Sequence, residues 1–138
     1  PLGVAFVIAP WNYPYLTAIN SIIPALMAGN TVLLKHSAQT PLCAEQLARA
    51  FQVADLPAVV FQYLHLSHQD TEMIIAQPDI NTVAFTGSVA GGRVVEQASS
   101  GRFITVGLEL GGKDPAYVRA DADVEAAAEA IIERVLGS

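Results

Sequence analysis

The chain has 138 residues, of which 52% are hydrophobic and 14% are charged, and its formal net charge is −6. This length is that of one ordinary domain with a hydrophobic core of its own. The seven Lys and Arg residues are scattered and outnumbered by 13 Asp and Glu residues, so the chain lacks the basic surface that binds a nucleic-acid backbone, and no nucleic-acid partner is expected.

The low charge content bears on what the surface of the chain contacts, and the single cysteine bears on the redox environment of the chain. The sequence is more apolar and less charged than a typical free-standing domain of this size, which suggests contact with segments or subunits outside it. One cysteine forms no internal disulfide, and the first residues do not read as a secretion signal, so a reducing, cytoplasmic setting is expected. No apolar run reaches the length of about 18 residues that a membrane span needs, so no membrane partner is expected.

Short apolar runs rich in β-branched residues alternate with helical patterns along the chain. Strands are predicted at residues 4–9, 31–34, 59–64, 82–85 and 103–108, with a short extended piece at 116–118. Helices are predicted at residues 16–27, 41–54, 68–77 and 89–99, and a last helix begins at Asp121 or Asp123. This alternation predicts right-handed βαβ crossovers and therefore an α/β fold, a Rossmann-like, three-layer αβα arrangement with a mostly parallel five-stranded sheet.

Three local patterns predict details of the helices. Thr40 before Pro41 is typical of a helix start at which the threonine side chain caps free amides. Ser67 with Asp70 three residues later resembles a capping box. The pair Gly91-Gly92 near the start of the fourth helix permits close packing of the backbone.

Residues 103–113 read as a strand that ends in a reactive carboxylate. Three β-branched residues favour an extended chain, Glu109 interrupts the apolar run, and Gly111-Gly112 allows the backbone to turn. Since ligands of open α/β sheets bind outside the carboxyl ends of the strands, Glu109 falls where a parallel sheet places its active site. The alternative is a solvated glutamate in a turn.

Three further loops that follow predicted strands carry unusual residues. They are residues 10–14, Lys35 with the polar residues after it, and Thr86-Gly87-Ser88, and we expect them to meet at one edge of the sheet. Gly87-Ser88 can offer free amides, a hydroxyl and the positive end of a helix dipole to a phosphate, or it can be an ordinary strand-to-helix turn. The glycine spacing matches neither the usual dinucleotide fingerprint nor a P-loop.

Six segments together resemble the NAD(P)-binding region of the aldehyde dehydrogenase superfamily. They are residues 10–14 (Pro-Trp-Asn-Tyr-Pro), 24–30 (Pro-Ala-Leu-Met-Ala-Gly-Asn), Lys35, 39–41 (Gln-Thr-Pro), 85–88 (Phe-Thr-Gly-Ser) and 108–113 (Leu-Glu-Leu-Gly-Gly-Lys). They occur in the family's order, and the resemblance covers nearly the whole chain. It implies that residues 1–138 form a single NAD(P)-binding domain and that the catalytic and oligomerisation domains are absent from this chain.

The resemblance implies roles for two polar side chains. In the family a cysteine thiolate attacks an aldehyde, hydride passes to the nicotinamide, and water hydrolyses the resulting thioester. Asn12 matches the asparagine whose amide helps hold the developing oxyanion, and Glu109 matches the general base that activates the thiol or the water. A complete enzyme of this family would take an aldehyde substrate, and we expect it to be a homo-oligomer.

The resemblance also implies a cleft for NAD or NADP. Lys35 matches the lysine on the adenosine ribose, and Ser88 matches the hydroxyl on the pyrophosphate. Ala38 stands where many NAD-preferring members have a glutamate that holds the ribose hydroxyls and repels a 2′-phosphate, so both cofactors stay open. The residues expected to bind the cofactor are Trp11, Lys35, Ser37, Gly87, Ser88 and Leu110.

The family nucleophile has no match in this chain. It lies further beyond the glutamate than the 29 residues (138 − 109) that follow Glu109, and Cys43 falls on the apolar stripe of a helix, where a buried structural thiol is expected. His65 and His68 lack a third ligand, so no metal site is expected. We therefore expect the cofactor-binding portion of an NAD(P)-dependent aldehyde dehydrogenase, inactive alone. The alternative is a stand-alone, non-catalytic nucleotide-binding or interaction module derived from that fold.

Overall fold

The computed structural model describes residues 1–112 and 115–136; Lys113, which ends the last of the six segments, lies outside them. Within the described residues the strands are β1 (Val4–Ile8), β2 (Thr31–Lys35), β3 (Phe61–Tyr63), β4 (Ile80–Gly87) and β5 (Thr105–Leu110). The helices are α1 (Pro14–Met27), α2 (Leu42–Val53), α3 (His68–Ile75), α4 (Val89–Ala98) and α5 (Val124–Leu136).

The described strands form one sheet in the order β3-β2-β1-β4-β5, and all neighbouring pairs are parallel. The central strand β1 is buried from Ala5 to Ile8, as expected for an apolar strand covered on both faces. The predicted α/β fold with a five-stranded sheet is confirmed, and the sheet is parallel throughout.

Helices cover both faces of the sheet and make three layers. Successive residues of a strand point to opposite faces, so β1 contributes to two separate core clusters. Val7 packs with Ile22 of α1 and with buried residues of α2, whereas Phe6 packs on the other face with Ile75 of α3 and Val95 of α4. The predicted three-layer arrangement follows from this division of the core.

β5 begins and ends two residues later than predicted. Phe103 has a left-handed backbone conformation with φ of 56°, and its side chain is fully exposed, so the strand does not start there. β5 pairs with β4 from Thr105 onward and ends with Leu110 opposite Gly87. Glu109 therefore lies within the strand rather than after it.

Other boundaries also differ from the prediction. β3 is shorter, because the N–H of Val60 donates to the carbonyl of Pro57 in a turn at 2.9 Å and the strand starts after it. β4 is longer and covers residues 80–87, because it pairs with both β1 and β5. Residues 116–118 adopt no strand.

The helix starts follow the sequence in two cases and depart from it in one. The capping box is present, since Ser67 Oγ accepts the N–H of Asp70 at 3.1 Å and the Asp70 carboxylate accepts the N–H of Ser67 at 3.4 Å. Asp123 accepts backbone N–H groups from the first turn of α5, which confirms it as one of the predicted starts. The predicted cap at Thr40 is wrong, because its hydroxyl contacts Nδ1 of His36 and caps no amide of α2.

Candidate functional site

A cleft of about 1080 Å³ opens at the carboxyl ends of β1, β2, β4 and β5, with α3 and α4 forming the rest of its wall. This is the edge at which the sequence predicts that the loops meet. The structure brings all eight predicted site residues into the lining of this cleft: Trp11, Asn12, Lys35, Ser37, Gly87, Ser88, Glu109 and Leu110.

The loop between β1 and α1 presents Trp11 and Asn12 to the cleft. Tyr13, immediately before α1, has a left-handed conformation with φ of 43° and ψ of 50°, and this residue turns the chain from strand to helix. Such a conformation is uncommon outside glycine and clusters at functional sites. Asn12 is half-buried, and no partner among the described residues engages its side-chain amide, so the amide is available to a ligand.

Lys35 ends β2 and is only 7% exposed. Burial lowers the pKa of Lys35 below its ordinary value of 10.5, because the charged ammonium is withdrawn from water. No carboxylate in the described part of the chain forms a salt bridge with this ammonium. A desolvated cation at the lining of a cleft favours an oxygen-rich ligand.

Ser88 is the residue immediately before α4, and its Oγ accepts the N–H of Gly91 at 3.1 Å. The first amides of a helix have no partner within the helix, and the helix dipole places a partial positive charge at the same end. A helix start that lines a cleft in this way is suited to bind a phosphate group.

Gly91 and Gly92 allow the first turn of α4 to pack closely against the cleft wall. A Cβ atom on Gly91 would lie 2.7 Å from the ring of Phe85, and one on Gly92 would lie 2.5 Å from Cδ2 of Leu110. A Cβ atom essentially never lies this close to a non-bonded atom, so the predicted close packing at this glycine pair is confirmed.

Glu109 lies opposite Thr86 in the β4–β5 pair and lines the cleft. β5 is one of the two edge strands of the described sheet, and Glu109 is exposed, as in the alternative of a solvated glutamate, although it lies within a strand and not in a turn. α4 covers one face of β5 and leaves the residues of the other face exposed. Glu109 is therefore accessible to water from the cleft.

One wall of the cleft was missed by the sequence analysis. His68, Thr71, Glu72 and Ile75 of α3 all line the cleft, at the spacing of one helix face. The spacing is visible in the sequence, but the position of this face depends on how α3 packs across the sheet.

The remaining candidates lie outside the cleft lining. Cys43 is half-buried rather than buried, and its hydrogen bond with Tyr15 raises the pKa of Tyr15. His65 contacts a carboxylate oxygen of Glu45 at 3.2 Å. Among residues 1–112 and 115–136, no group of three or more His, Cys, Asp or Glu side chains could hold a metal ion, and no helix has the length and apolar character to cross a bilayer.

Comparison with known proteins identifies the family, since the model of the aldehyde dehydrogenase family matches residues 1–138. The chain belongs to the aldehyde dehydrogenase family. It is 42% identical over 139 residues to an aldehyde dehydrogenase of Paenarthrobacter nicotinovorans and 41% identical over 133 residues to an alpha-ketoglutaric semialdehyde dehydrogenase of Bacillus subtilis. These alignments cover 100% and 96% of this chain, but the chain spans only 30% and 27% of the two relatives.

Solved structures of aldehyde dehydrogenases share this fold. The enzyme from Bartonella henselae matches with a TM-score of 0.91 and 35% identity, over 99% of this chain and 29% of its own. A NAD-dependent benzaldehyde dehydrogenase from Corynebacterium glutamicum matches with a TM-score of 0.86 and 38% identity, over 95% and 29%. A succinic semialdehyde dehydrogenase from Streptococcus pyogenes, solved in complex with NADP+, matches with a TM-score of 0.85 and 28% identity, over 92% and 28%.

Replacing the buried Lys35 is predicted to stabilise this chain against unfolding. Since the pKa of Lys35 is lowered on folding, the charged lysine costs stability at neutral pH, and the cost disappears as the pH rises above 10.5, where lysine is neutral in both states. Lys35→Met therefore raises the free energy of unfolding in urea at neutral pH, and the gain shrinks at alkaline pH. Arg49→Met, at an exposed position of α2, serves as the control and shows no such gain. A loss of stability in Lys35→Met at neutral pH would contradict the interpretation.

Gly91→Ala is predicted to destabilise the chain by about 1–3 kcal/mol, because the added methyl group overlaps the ring of Phe85. Gly107→Ala is the matched control, since the nearest atom to its added Cβ would be the carbonyl oxygen of Val83 at 3.9 Å. We expect the control to change the free energy of unfolding by less than about 0.5 kcal/mol. Equal effects at the two positions in urea unfolding would show that the Phe85 ring moves aside freely.

Proposed function

We propose that this chain is the cofactor-binding portion of an NAD(P)-dependent aldehyde dehydrogenase and that residues 1–138 form a single NAD(P)-binding domain. The observation that carries the proposal is the convergence of an amide, a buried lysine, a helix start and a carboxylate on one cleft of about 1080 Å³. The family relationship supports the reaction class, which is oxidation of an aldehyde to a carboxylic acid.

The positions of the polar groups suit a dinucleotide. Lys35 ends β2 and Ser88 directly follows β4, on either side of β1, so strand spacing alone separates them by about 10 Å. We assign the Lys35 ammonium to the hydroxyls of the adenosine ribose, and the Ser88 hydroxyl with the α4 amides to the pyrophosphate. An unpaired buried cation and a helix start whose serine hydroxyl can still donate its proton both fit a ligand that carries hydroxyl and phosphate groups.

Four other residues complete the proposed cofactor site. Gly87 allows a phosphate to approach the backbone before α4, and the exposed Trp11 and Leu110 offer apolar contact area. Ser37 Oγ accepts the N–H of Gln39 at 3.2 Å, which leaves the hydroxyl proton of Ser37 free to be donated to a ligand.

We assign catalytic roles to two side chains of this chain, Asn12 and Glu109. When bound, the nicotinamide cofactor supplies the acceptor for the hydride that leaves the substrate carbon. The Asn12 amide donates a hydrogen bond to the aldehyde oxygen as that oxygen becomes negative. Glu109, which is accessible from the cleft, takes the proton from the attacking thiol or from the water that hydrolyses the thioester. The described lining of the cleft contains no cysteine, so the thiol comes from another part of the complete enzyme.

The choice between NAD and NADP depends on the rim of the cleft after β2. Ala38 lines the cleft there and carries neither a carboxylate that would hold ribose hydroxyls nor a negative charge that would repel a 2′-phosphate. The similar structures include one named as NAD-dependent and one with bound NADP+. We therefore assign both NAD and NADP as cofactors.

Exposed large apolar side chains support the proposal that this chain is part of a larger protein or assembly. Tyr117 and Ile132 are largely exposed, and so is Phe103 next to the edge strand, which fits cover by other segments of a complete enzyme or by its subunits. We propose that the complete enzyme is a cytoplasmic homo-oligomer that takes a small aldehyde. The net charge of −6 supports the absence of a nucleic-acid partner.

A second candidate is a stand-alone, non-catalytic nucleotide-binding or interaction module. The absence of a cysteine from the described cleft lining favours it. The encoding DNA separates the two candidates: in-frame sequence that continues past Ser138 to a cysteine supports the enzyme portion, whereas a stop codon directly after Ser138 supports the module.

Both cofactors are predicted to change the fluorescence of Trp11, the one tryptophan of the chain. Lys35→Met is expected to weaken binding of NAD and of NADP about tenfold or more, because it removes a charge-assisted hydrogen bond. The control Arg49→Met leaves both titrations unchanged. A native chain whose fluorescence responds to neither nucleotide would contradict a retained cofactor site.

The chain alone is predicted not to reduce NAD or NADP in the presence of aldehydes. In the full gene product, Glu109→Gln is expected to lower turnover about 10²- to 10⁴-fold, the usual contribution of a general base. Glu96→Gln, at an exposed position of α4 outside the cleft lining, is the control and keeps normal turnover. Aldehyde-dependent reduction by the isolated chain, lost in Glu109→Gln, would overturn the assignment of an incomplete enzyme.

A further inference from the structure

His36 is the most buried polar residue of the described chain, with 2% of its surface exposed. It lies between Lys35 and Ser37, which both line the cleft, but it does not line the cleft itself. Burying an imidazole costs free energy unless both ring nitrogens form hydrogen bonds within the protein, because water no longer reaches them.

Each ring nitrogen bonds to a different segment. Nε2 lies 3.0 Å from the carbonyl oxygen of Pro14, the first residue of α1, and Nδ1 lies 3.1 Å from the hydroxyl of Thr40. A carbonyl can only accept, so Nε2 carries the proton and donates. Nδ1 can then accept the hydroxyl proton of Thr40, and one neutral tautomer satisfies both contacts.

These bonds join two loops that the sheet does not join. The last backbone bond between the two strand ends runs from the N–H of Ala9 to the carbonyl of Lys35 at 3.0 Å. Beyond it one loop carries Asn12 towards α1, and the other forms a turn in which the N–H of Thr40 donates to the carbonyl of Ser37 at 3.1 Å. The His36 ring connects the two loops beyond the last backbone hydrogen bond between β1 and β2.

We propose that His36 is a positioning residue, which holds the Asn12 loop and the turn after Lys35 at the separation required by the cleft. The inference rests on the proposed function, because that function assigns the oxyanion donor to one loop and the ribose contact to the other. His36 touches neither substrate nor cofactor and acts through Pro14 and Thr40.

Asn30 provides a matched control at the opposite end of the sheet. It is also buried, and it also joins two segments: its Oδ1 accepts the N–H groups of Leu2 and Gly3 at 2.6 and 3.0 Å, and its Nδ2 donates to the carbonyl of Ala25 at 3.0 Å. Its loss removes a comparable set of hydrogen bonds without touching the cleft.

The test compares His36→Leu with Asn30→Ala in the intact chain by amide hydrogen exchange and by NAD titration of Trp11 fluorescence. In His36→Leu we expect exchange to rise about tenfold more at residues 9–17 and 35–41 than in the core strands, and NAD binding to weaken about tenfold. Asn30→Ala is expected to lower the melting temperature. The exchange rate of these two loops relative to the core strands, and the affinity for NAD, should stay unchanged.

Two milder variants separate the two bonds and remain informative where His36→Leu fails to fold. His36→Gln keeps a donor near the position of Nε2, so we expect it to restore normal exchange in the Asn12 loop. Thr40→Val removes only the hydroxyl, so faster exchange should be confined to residues 35–41.

Exchange that rises evenly along the chain in all these variants, in proportion to the loss of melting temperature, would overturn the proposal and leave His36 as an ordinary stabilising residue. A native chain that does not respond to NAD counts against the proposed function instead, and the exchange pattern still decides the role of His36.

Discussion

The hydrogen-bonded register of the parallel strands is the constraint on which the cleft depends. Ile8 at the end of β1 pairs with Lys35 of β2 and with Phe85 of β4, and Phe85 pairs with Leu108 of β5. This row crosses four strands at nearly the same height, and the chemistry-bearing residues lie on it or within a few residues beyond it. Because parallel strands end at one edge, groups that are up to about 100 residues apart in sequence meet in a single cleft.

The alternation of apolar runs and helical patterns was sufficient to predict the layers and the parallel sheet, since each run must bury itself against its neighbours. The order of the strands and their exact ends depend on pairing, which is why the left-handed turn at Phe103 and the continuation of β5 through Glu109 were not predicted. The same limit applies to the site. Motif residues at strand ends could be placed from the sequence, whereas the position of the wall formed by α3 and the left-handed conformation of Tyr13 depend on tertiary packing.

Buried polar groups at the two ends of the sheet have different consequences. Asn30 has complementary partners and closes the amino end of β1 against the end of α1. At the carboxyl end His36 is equally well satisfied, but its neighbour Lys35 is buried without an anionic partner among the described residues. The structure thus places the buried, unpaired charge of Lys35 beside two loops that the His36 hydrogen bonds connect, which is the arrangement expected where stability is sacrificed to prepare a site for a ligand.

β5 pairs with another described strand on one side only, and Thr105 and Gly107 on its exposed face are open to water. A free strand edge next to a fully exposed Phe103 is a template on which other polypeptides can add strands. A purified sample of the chain would therefore associate more strongly as its concentration rises, through intermolecular pairing along this edge.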